Sequence, residues 1–365
     1  MFDFYEVDFL PVETSKSGDA IAIRYRIGGI TGVHVVDGGY LETGEAVVEH
    51  LRTHYGTTHI DNVVLTHPDQ DHANGLRKVL ESCTVGTLWI NRPWLYAEAL
   101  IDRFETYESV DALRRKLRSI YSATAALEDL ATEKGIPMKS PLQGAEIGPF
   151  VVLAPSIQRY ADLIVASEKT PEAAEDSAFN SLLEELRKAM KTASNLVKAA
   201  WGAETFPADG TSSENEMSVV QYALINKRRI LLTGDAGREA LAEAADYAPF
   251  VGLALPGIDD FQVPHHGGRH NVDTAILDRL LGQRLPEIPQ ETSWRAVCSS
   301  AKADEDHPRK SVKRAMMHRG AWFGATEGNG ILLAHGISRA GWTGMDKRTT
   351  PQSKRTDCYG AQRAS

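Results

Sequence analysis

The hydrophobic and polar positions of the first ninety residues follow the period of a strand in some segments and the period of a helix in others. β-Branched and aromatic residues predict strands at 20–27, 32–39, 61–66 and 86–91. Apolar positions three and four residues apart predict helices at 42–55 and 74–82. Strands that alternate with helices in this way are typical of a layered α/β fold.

The middle of the chain has a different character. Between residues 93 and 205, long segments rich in Ala, Leu, Glu, Lys and Arg place apolar residues at helical spacing. Only residues 151–155 interrupt them with a strand-like run. We therefore expect a mainly helical insertion at 93–205, whose surfaces are candidates for binding a protein partner.

Strand-like runs return after residue 205. The pattern predicts strands at 217–225, 229–235, 260–268, 296–300, 321–326 and 330–335. It predicts helices at 238–247, 272–281 and 308–319. The main α/β domain is therefore expected to comprise residues 1–92 and 206–335.

Composition and charge narrow the class of protein. With 42% hydrophobic and 24% charged residues, the chain has the composition of a globular protein and not of a disordered or coiled-coil one. No apolar run approaches the ~18 residues that cross a bilayer, so we expect a cytoplasmic protein without membrane contact. The net charge of −9 does not attract a polyanion over long distances. Residues 336–365, which hold six basic and two acidic residues, are expected to form a disordered basic tail.

The strongest candidate chemistry lies in the segment THPDQDH, residues 66–72, between an apolar strand and a helix. Four side chains of metal-ligand type occur there within six residues: His67, Asp69, Asp71 and His72. In a loop they can turn toward one centre, and a mixed set of imidazoles and carboxylates suits zinc, manganese or iron. The alternative is a polar turn in which Asp71 caps the following helix.

Two later segments provide further ligand types. Asp235 follows Gly234 at the end of an apolar strand, at the edge where α/β folds place ligands, although a Gly-Asp pair alone is more often a turn. His265 and His266 end another predicted strand. Because adjacent residues of a strand face opposite ways, we expect only one of these histidines to be a ligand.

Four motifs occur in the order Asp37-Gly-Gly, His67-x-Asp-x-Asp-His72, Gly234-Asp235 and His265-His266-Gly. This order resembles the metallo-β-lactamase superfamily. The segments HPDQDHANG, SGDAIAIRY and VPHHGG, and the layout of residues 296–333, are similar to the C-terminal domain of ComEC-type competence proteins and its soluble relatives. The resemblance implies an αββα four-layer sandwich that binds one or two divalent metal ions, with zinc or manganese favoured.

The resemblance also implies a ligand set. The first ion would be held by His67, Asp69 and a middle histidine, whose place is taken here by Asn215, which resembles the asparagine of the ComEC branch. The second ion would be held by Asp71, His72 and His266. Asp235 would bridge the two ions, His265 would orient or pack against its neighbour, and Asp37 would brace the metal loop.

The implied chemistry is hydrolysis by a metal-activated hydroxide held at Asp235, with Asp71 as the proton acceptor. His307, which precedes a predicted helix, is a candidate general acid or else an exposed residue before that helix. The leading hypothesis is a phosphodiesterase or nuclease acting on nucleic acid or a nucleotide. Two alternatives stay open: a hydrolase of carboxylic esters, lactones, thioesters or β-lactams, and a non-catalytic regulatory module that has lost a metal ligand.

Overall fold

A computed structural model of the chain describes residues 3–170, 204–287 and 289–342. In chain order, its strands are β1 (Phe4–Phe9), β2 (Ala20–Ile27), β3 (Ile30–Gly38), β4 (His59–Val64), β5 (Thr84–Trp89), β6 (Met138–Lys139), β7 (Glu146–Ile147), β8 (Phe150–Ala154), β9 (Val220–Ile225), β10 (Arg228–Leu232), β11 (Asp260–Gln262), β12 (Trp294–Cys298), β13 (Ala321–Ala325) and β14 (Ile331–His335).

The strands form two seven-stranded sheets. The first has the order β14-β1-β2-β3-β4-β5-β6 and the second the order β13-β12-β11-β10-β9-β8-β7. In the first sheet, β3 to β6 run parallel, and in the second, β10 to β13 do. The remaining neighbours pair antiparallel. Each sheet therefore has a parallel half whose carboxyl ends meet at one edge.

Helices cover the outer face of each sheet. The helices of the described residues are α1 (Leu41–His50), α2 (Gln70–Ser82), α3 (Ala97–Leu100), α4 (Val110–Ile120), α5 (Ser122–Glu133), α6 (Ile157–Ala166), α7 (Ser213–Glu216), α8 (Arg238–Tyr247), α9 (Thr274–Leu281) and α10 (Lys310–His318). Apolar residues of α1, α2 and α5 pack on the first sheet. Those of α8, α9 and α10 pack on the second.

A third apolar cluster fills the space between the two sheets. Its largest buried side chains include Tyr5, Phe9 and Phe150, which come from both sheets. The order of layers is therefore helices, sheet, sheet and helices. The αββα four-layer sandwich expected from the sequence is confirmed.

Most predicted elements of the main domain occur within a few residues of their expected bounds, but strand β1 was not predicted. Its acidic residues Glu6 and Asp8 are buried because they pair with arginines. Arg24 Nε donates to Glu6 at 2.8 Å, and Arg339 Nη1 donates to Asp8 at 2.7 Å. These contacts join residues far apart in the chain, which is why the local pattern did not reveal a buried strand.

Arg339 belongs to the predicted basic tail, of which residues 343–365 lie outside the described part.

The predicted insertion contributes strands as well as helices. Strands β6, β7 and β8 all lie within residues 93–205, and they extend an edge of each sheet. Within the predicted helical insertion, α4 and α5 are separated at Tyr121, whose ψ of 50° is not helical. Helices α3, α4 and α6 form a separate apolar cluster that includes Trp94 and Tyr160. The division of the chain into units stays a prediction.

The part of the chain that the structure describes contains no helix that is long and apolar enough to span a membrane.

A close approach between two backbones places helix α2 against the end of strand β3. A Cβ atom on Gly75 would lie 1.8 Å from the Gly38 carbonyl oxygen. Gly75 N also donates a hydrogen bond to the Gly39 carbonyl at 2.9 Å. Because no side chain separates the two elements, the first turn of α2 can reach the carboxyl end of the sheet.

We expect Gly75→Ala to lower the free energy of unfolding by about 2 to 3 kcal/mol, because the methyl group overlaps backbone that cannot move aside without shifting α2. Urea unfolding followed by circular dichroism measures the change. Gly210→Ala is the matched control, since a Cβ atom there meets nothing within 4 Å. Equal stability of the two variants would contradict the importance of the backbone contact.

Candidate metal centre

The predicted ligand residues lie where strands of both sheets end. Strand β4 leads into the segment with His67, and β10 leads to Asp235. The His265-His266 pair follows β11, and Asp37 lies near the end of β3. The two parallel halves therefore bring residues from distant parts of the chain to one place.

Four buried side chains converge there. Ligand atoms of Asp19, His72, Asp235 and His266 all lie within 4.8 Å of one another. His72 Nε2 lies 3.4 Å from Asp235 Oδ1, and His266 Nε2 lies 3.7 Å from Asp235 Oδ2. Both Nε2 atoms, Asp235 Oδ1 and Asp19 Oδ1 are buried without a hydrogen-bond partner. Such atoms are costly to bury unless a ligand satisfies them, so the cluster fits a divalent cation.

Asp19 belongs to this cluster although it was not among the candidate ligands of the sequence analysis. It precedes strand β2, and its Oδ2 accepts a hydrogen bond from Gln262 Nε2 at 3.0 Å. A Cβ atom on Gly18 would lie 2.7 Å from the Asp71 carbonyl oxygen, so glycine is required beside the metal loop. The only sequence cue was the Gly-Asp-Ala segment at 18–20, to which no role was attached.

Asp37 orients His72. Its carboxylate accepts hydrogen bonds from Thr66 N at 2.8 Å, from Thr66 Oγ1 at 2.6 Å and from His72 Nδ1 at 2.7 Å. When Nδ1 donates to Asp37, the lone pair of Nε2 points toward Asp235. This geometry suits the bracing function expected of Asp37.

The two adjacent histidines both face Asp235. His265 Nε2 lies 3.6 Å and His266 Nε2 3.7 Å from Asp235 Oδ2. The expectation that they point opposite ways on a strand is wrong, because β11 ends at Gln262 and both histidines have a positive φ, 48° and 52°. His266 Nδ1 lies 3.0 Å from the Ser299 carbonyl, and His265 Nδ1 lies 2.9 Å from Asn271 Oδ1.

The metal motif is not entirely a loop. Helix α2 begins at Gln70, so Asp71 and His72 lie in its first turn. Asp71 Oδ2 lies 3.6 Å from His266 Nε2. His67 Nε2 lies 3.8 Å from both Asp235 Oδ2 and Asp69 Oδ2. His72 is thus part of the cluster, His67 and Asp71 border it, and Asp69 lies beside His67.

The two remaining candidates from the sequence are Asn215 and His307. Asn215 is buried in α7, and its Nδ2 donates to Thr211 Oγ1 at 2.6 Å. His307 Nδ1 lies 3.2 Å from Asp304 Oδ2, and its ring centre lies 5.5 Å from that of His265. Asp304 was not predicted from the sequence. Whether Asn215 is a ligand and His307 a general acid stays a prediction.

Charges within the cluster shift the titration of its members. Burial alone would lower the pKa of His266, but Asp235 and Asp71 outweigh it and raise that pKa to about 9. Burial raises the pKa of Asp19 to about 6. Burial would also raise the pKa of Asp235, but His72 and His266 hold it well below its usual value. Protons therefore compensate the carboxylates in the ion-free protein, and a divalent cation would displace them.

Comparisons with known proteins give only distant likenesses. No family model matches the sequence, and no curated protein does. Similar solved structures include a diphosphatase from the PhnP family, with 11% identity over 92% of this chain and 98% of that one and a TM-score of 0.38. Hydrolase AbOPH in the beta lactamase superfamily has 12% identity over 66% of this chain and 75% of that one, with a TM-score of 0.29. CmlA, a diiron beta-hydroxylase from Streptomyces venezuelae, has 13% identity over 85% of this chain and 47% of that one, with a TM-score of 0.31.

We expect the ion-free protein, kept in chelator, to lose up to about 3 kcal/mol of stability as the pH rises from 6.5 to 9. The pKa of His266 is raised from 6.5 to about 9 by folding. Its contribution is therefore fully present below pH 6.5 and is lost as the pH rises through 9. Urea unfolding at stepped pH measures the loss.

Saturating Mn²⁺ is the control, because the ion replaces the proton and should abolish the decline. A flat pH profile in chelator would contradict the charge balance described for the cluster.

Proposed function

We propose that the chain is a metal-dependent hydrolase of the metallo-β-lactamase superfamily that cleaves phosphodiester bonds in nucleic acid or a nucleotide. The convergence of buried, unpartnered donor atoms on Asp19, His72, Asp235 and His266 carries the proposal. Nitrogen and carboxylate oxygen donors in this combination suit Zn²⁺ or Mn²⁺.

A divalent ion bound there would lower the pKa of a water molecule and offset negative charge on the substrate. Asp71, whose side chain is 27% exposed, can accept the proton of the attacking water. His307 can donate a proton to the leaving oxygen, and Asp304 fixes its orientation through Nδ1. Burial and the neighbouring His265 lower the pKa of His307, so the imidazolium that donates this proton is a strong acid but the minor form at neutral pH.

The charge of the site supports a substrate that arrives together with a cation. Asp19, Asp71 and Asp235 carry more negative charge than the imidazolium groups of His72 and His266 offset, so they would repel a phosphodiester unless a divalent ion reverses the local charge. Loading with metal and binding of an anionic substrate are therefore expected to be coupled. The sequence resemblance to the ComEC-type domain favours the same substrate class.

The ester-hydrolase alternative needs an apolar pocket for an acyl group. Among the described residues, the cavity beside His67 measures about 10 Å³. This volume holds one water molecule and is too small for an acyl group. Leu65, Pro68, Tyr160 and Met217 line it. A regulatory module without an ion would leave the buried donor atoms unsatisfied, which argues against the other alternative.

A panel of an aryl phosphodiester and an aryl acetate, each with Mn²⁺ or Zn²⁺, tests the substrate class. We expect hydrolysis of the diester, its loss in chelator, and at least about a hundredfold fall in kcat for Asp71→Ala. Asp111→Ala is the matched control, because that carboxylate is 72% exposed on α4. Full activity of Asp71→Ala would overturn the mechanism, and hydrolysis of the acetate alone would favour the ester alternative.

The function of His307 as general acid can be tested separately. We expect His307→Gln to lower kcat about a hundredfold or more for a diester with an alkyl leaving group, which needs a proton to depart. The same variant should lose far less activity on a nitrophenyl diester, whose leaving group departs as an anion. Steady-state kinetics on both substrates measure the difference, and equal losses would contradict proton donation by His307.

A further inference from the structure

We infer that the centre holds a single tightly bound metal ion and that the ammonium group of Lys169 supplies the second positive charge, at Asp69. The inference rests on the proposed function, because it assumes an ion at Asp19, His72, Asp235 and His266. It replaces the second ion that the sequence resemblance allows with a residue of the chain itself.

The two halves of the centre offer unequal sets of donors. Four donors converge within 4.8 Å around Asp235. On the other side, His67 Nε2, which is also buried without a hydrogen-bond partner, lies 3.8 Å from Asp69 Oδ2 and 3.8 Å from Asp235 Oδ2. Asn215, which stands where the superfamily's middle histidine would be, is a neutral amide whose nitrogen donates to Thr211. Because imidazole and carboxylate bind Zn²⁺ and Mn²⁺ better than a neutral amide does, this half is the weaker site.

Lys169 already neutralises the carboxylate of this weaker half. Its Nζ lies 2.9 Å from Asp69 Oδ1, while Asp69 Oδ2 faces His67. A divalent ion on Oδ2 would lie next to the ammonium group and be repelled by it. The two side chains are 46% and 31% exposed, so solvent weakens this repulsion without removing it.

A buried turn holds the backbone of Lys169 in place. Lys169 N donates to Ser167 Oγ at 3.1 Å, and Ser167 Oγ donates to Glu214 Oε1 at 2.5 Å. Thr170 Oγ1 donates to the Ser167 carbonyl at 2.6 Å. Glu214 precedes Asn215 in α7. The same short helix thus carries the neutral amide and anchors the backbone of the lysine that pairs with Asp69.

This arrangement selects the substrate by charge. The ammonium group cannot activate water as a divalent ion does, but it can bind an anionic oxygen of a phosphodiester. A neutral ester has no such oxygen in its ground state. At a Mn²⁺ concentration that loads only the first ion, Lys169→Met is therefore expected to raise KM for an aryl phosphodiester about tenfold.

Ion content tests the inference without reference to activity. The full chain and its variants are dialysed to equilibrium against buffered Mn²⁺, and bound manganese is measured by elemental analysis. We expect one ion per chain in the wild type and in Asp69→Asn, and none in Asp235→Asn. Lys169→Met should bind a second ion at least about tenfold more tightly than the wild type. The double variant Lys169→Met with Asn215→His should hold two ions.

Lys78→Met is the matched control, because Lys78 pairs with Glu45 on an exposed surface and its loss should leave one ion. Two ions of similar affinity in the wild type would overturn the inference and leave the proposed function standing. A double variant that still binds one ion would also overturn it. A wild-type chain that binds no ion would overturn both.

Discussion

The carboxylate of Asp37 is the contact on which the arrangement of the centre depends. It is fully buried and holds two parts of the metal motif at once, through Thr66 and the Nδ1 atom of His72. Without it, the His72 ring could rotate or change tautomer, and Nε2 would leave the cluster. The contact itself requires the close approach of α2 to β3 that Gly75 permits.

Much of the fold could be predicted from the sequence, because the parallel strands and the helices that cover them carry their own periodicity. What the sequence did not reveal depends on contacts between distant residues. Strand β1 buries acids that are satisfied by Arg24 and Arg339. Likewise, the residue pairs of β6 and β7 are too short to show a period and become strands only by pairing with β5 and β8.

The candidate site could be predicted where its residues are neighbours in the chain, as in the motif from His67 to His72. Asp19 was missed because a lone aspartate before a strand has no local pattern, and only the fold brings it to His266. Lys169 was missed because it reaches Asp69 across about a hundred residues. The histidine pair was misplaced because its left-handed turn breaks the strand period on which the prediction relied.

The cluster lies where strands of both sheets end, and this position links ion binding to folding. Asp19 and His72 come from segments next to the first sheet, whereas Asp235 and His266 follow strands of the second. An ion held by all four would join the sheets and, by binding only the folded chain, would stabilise it. Protonated imidazoles offset the same carboxylates when no ion is bound. Binding of the ion is therefore expected to release protons from the cluster, so ion affinity and stability both depend on pH.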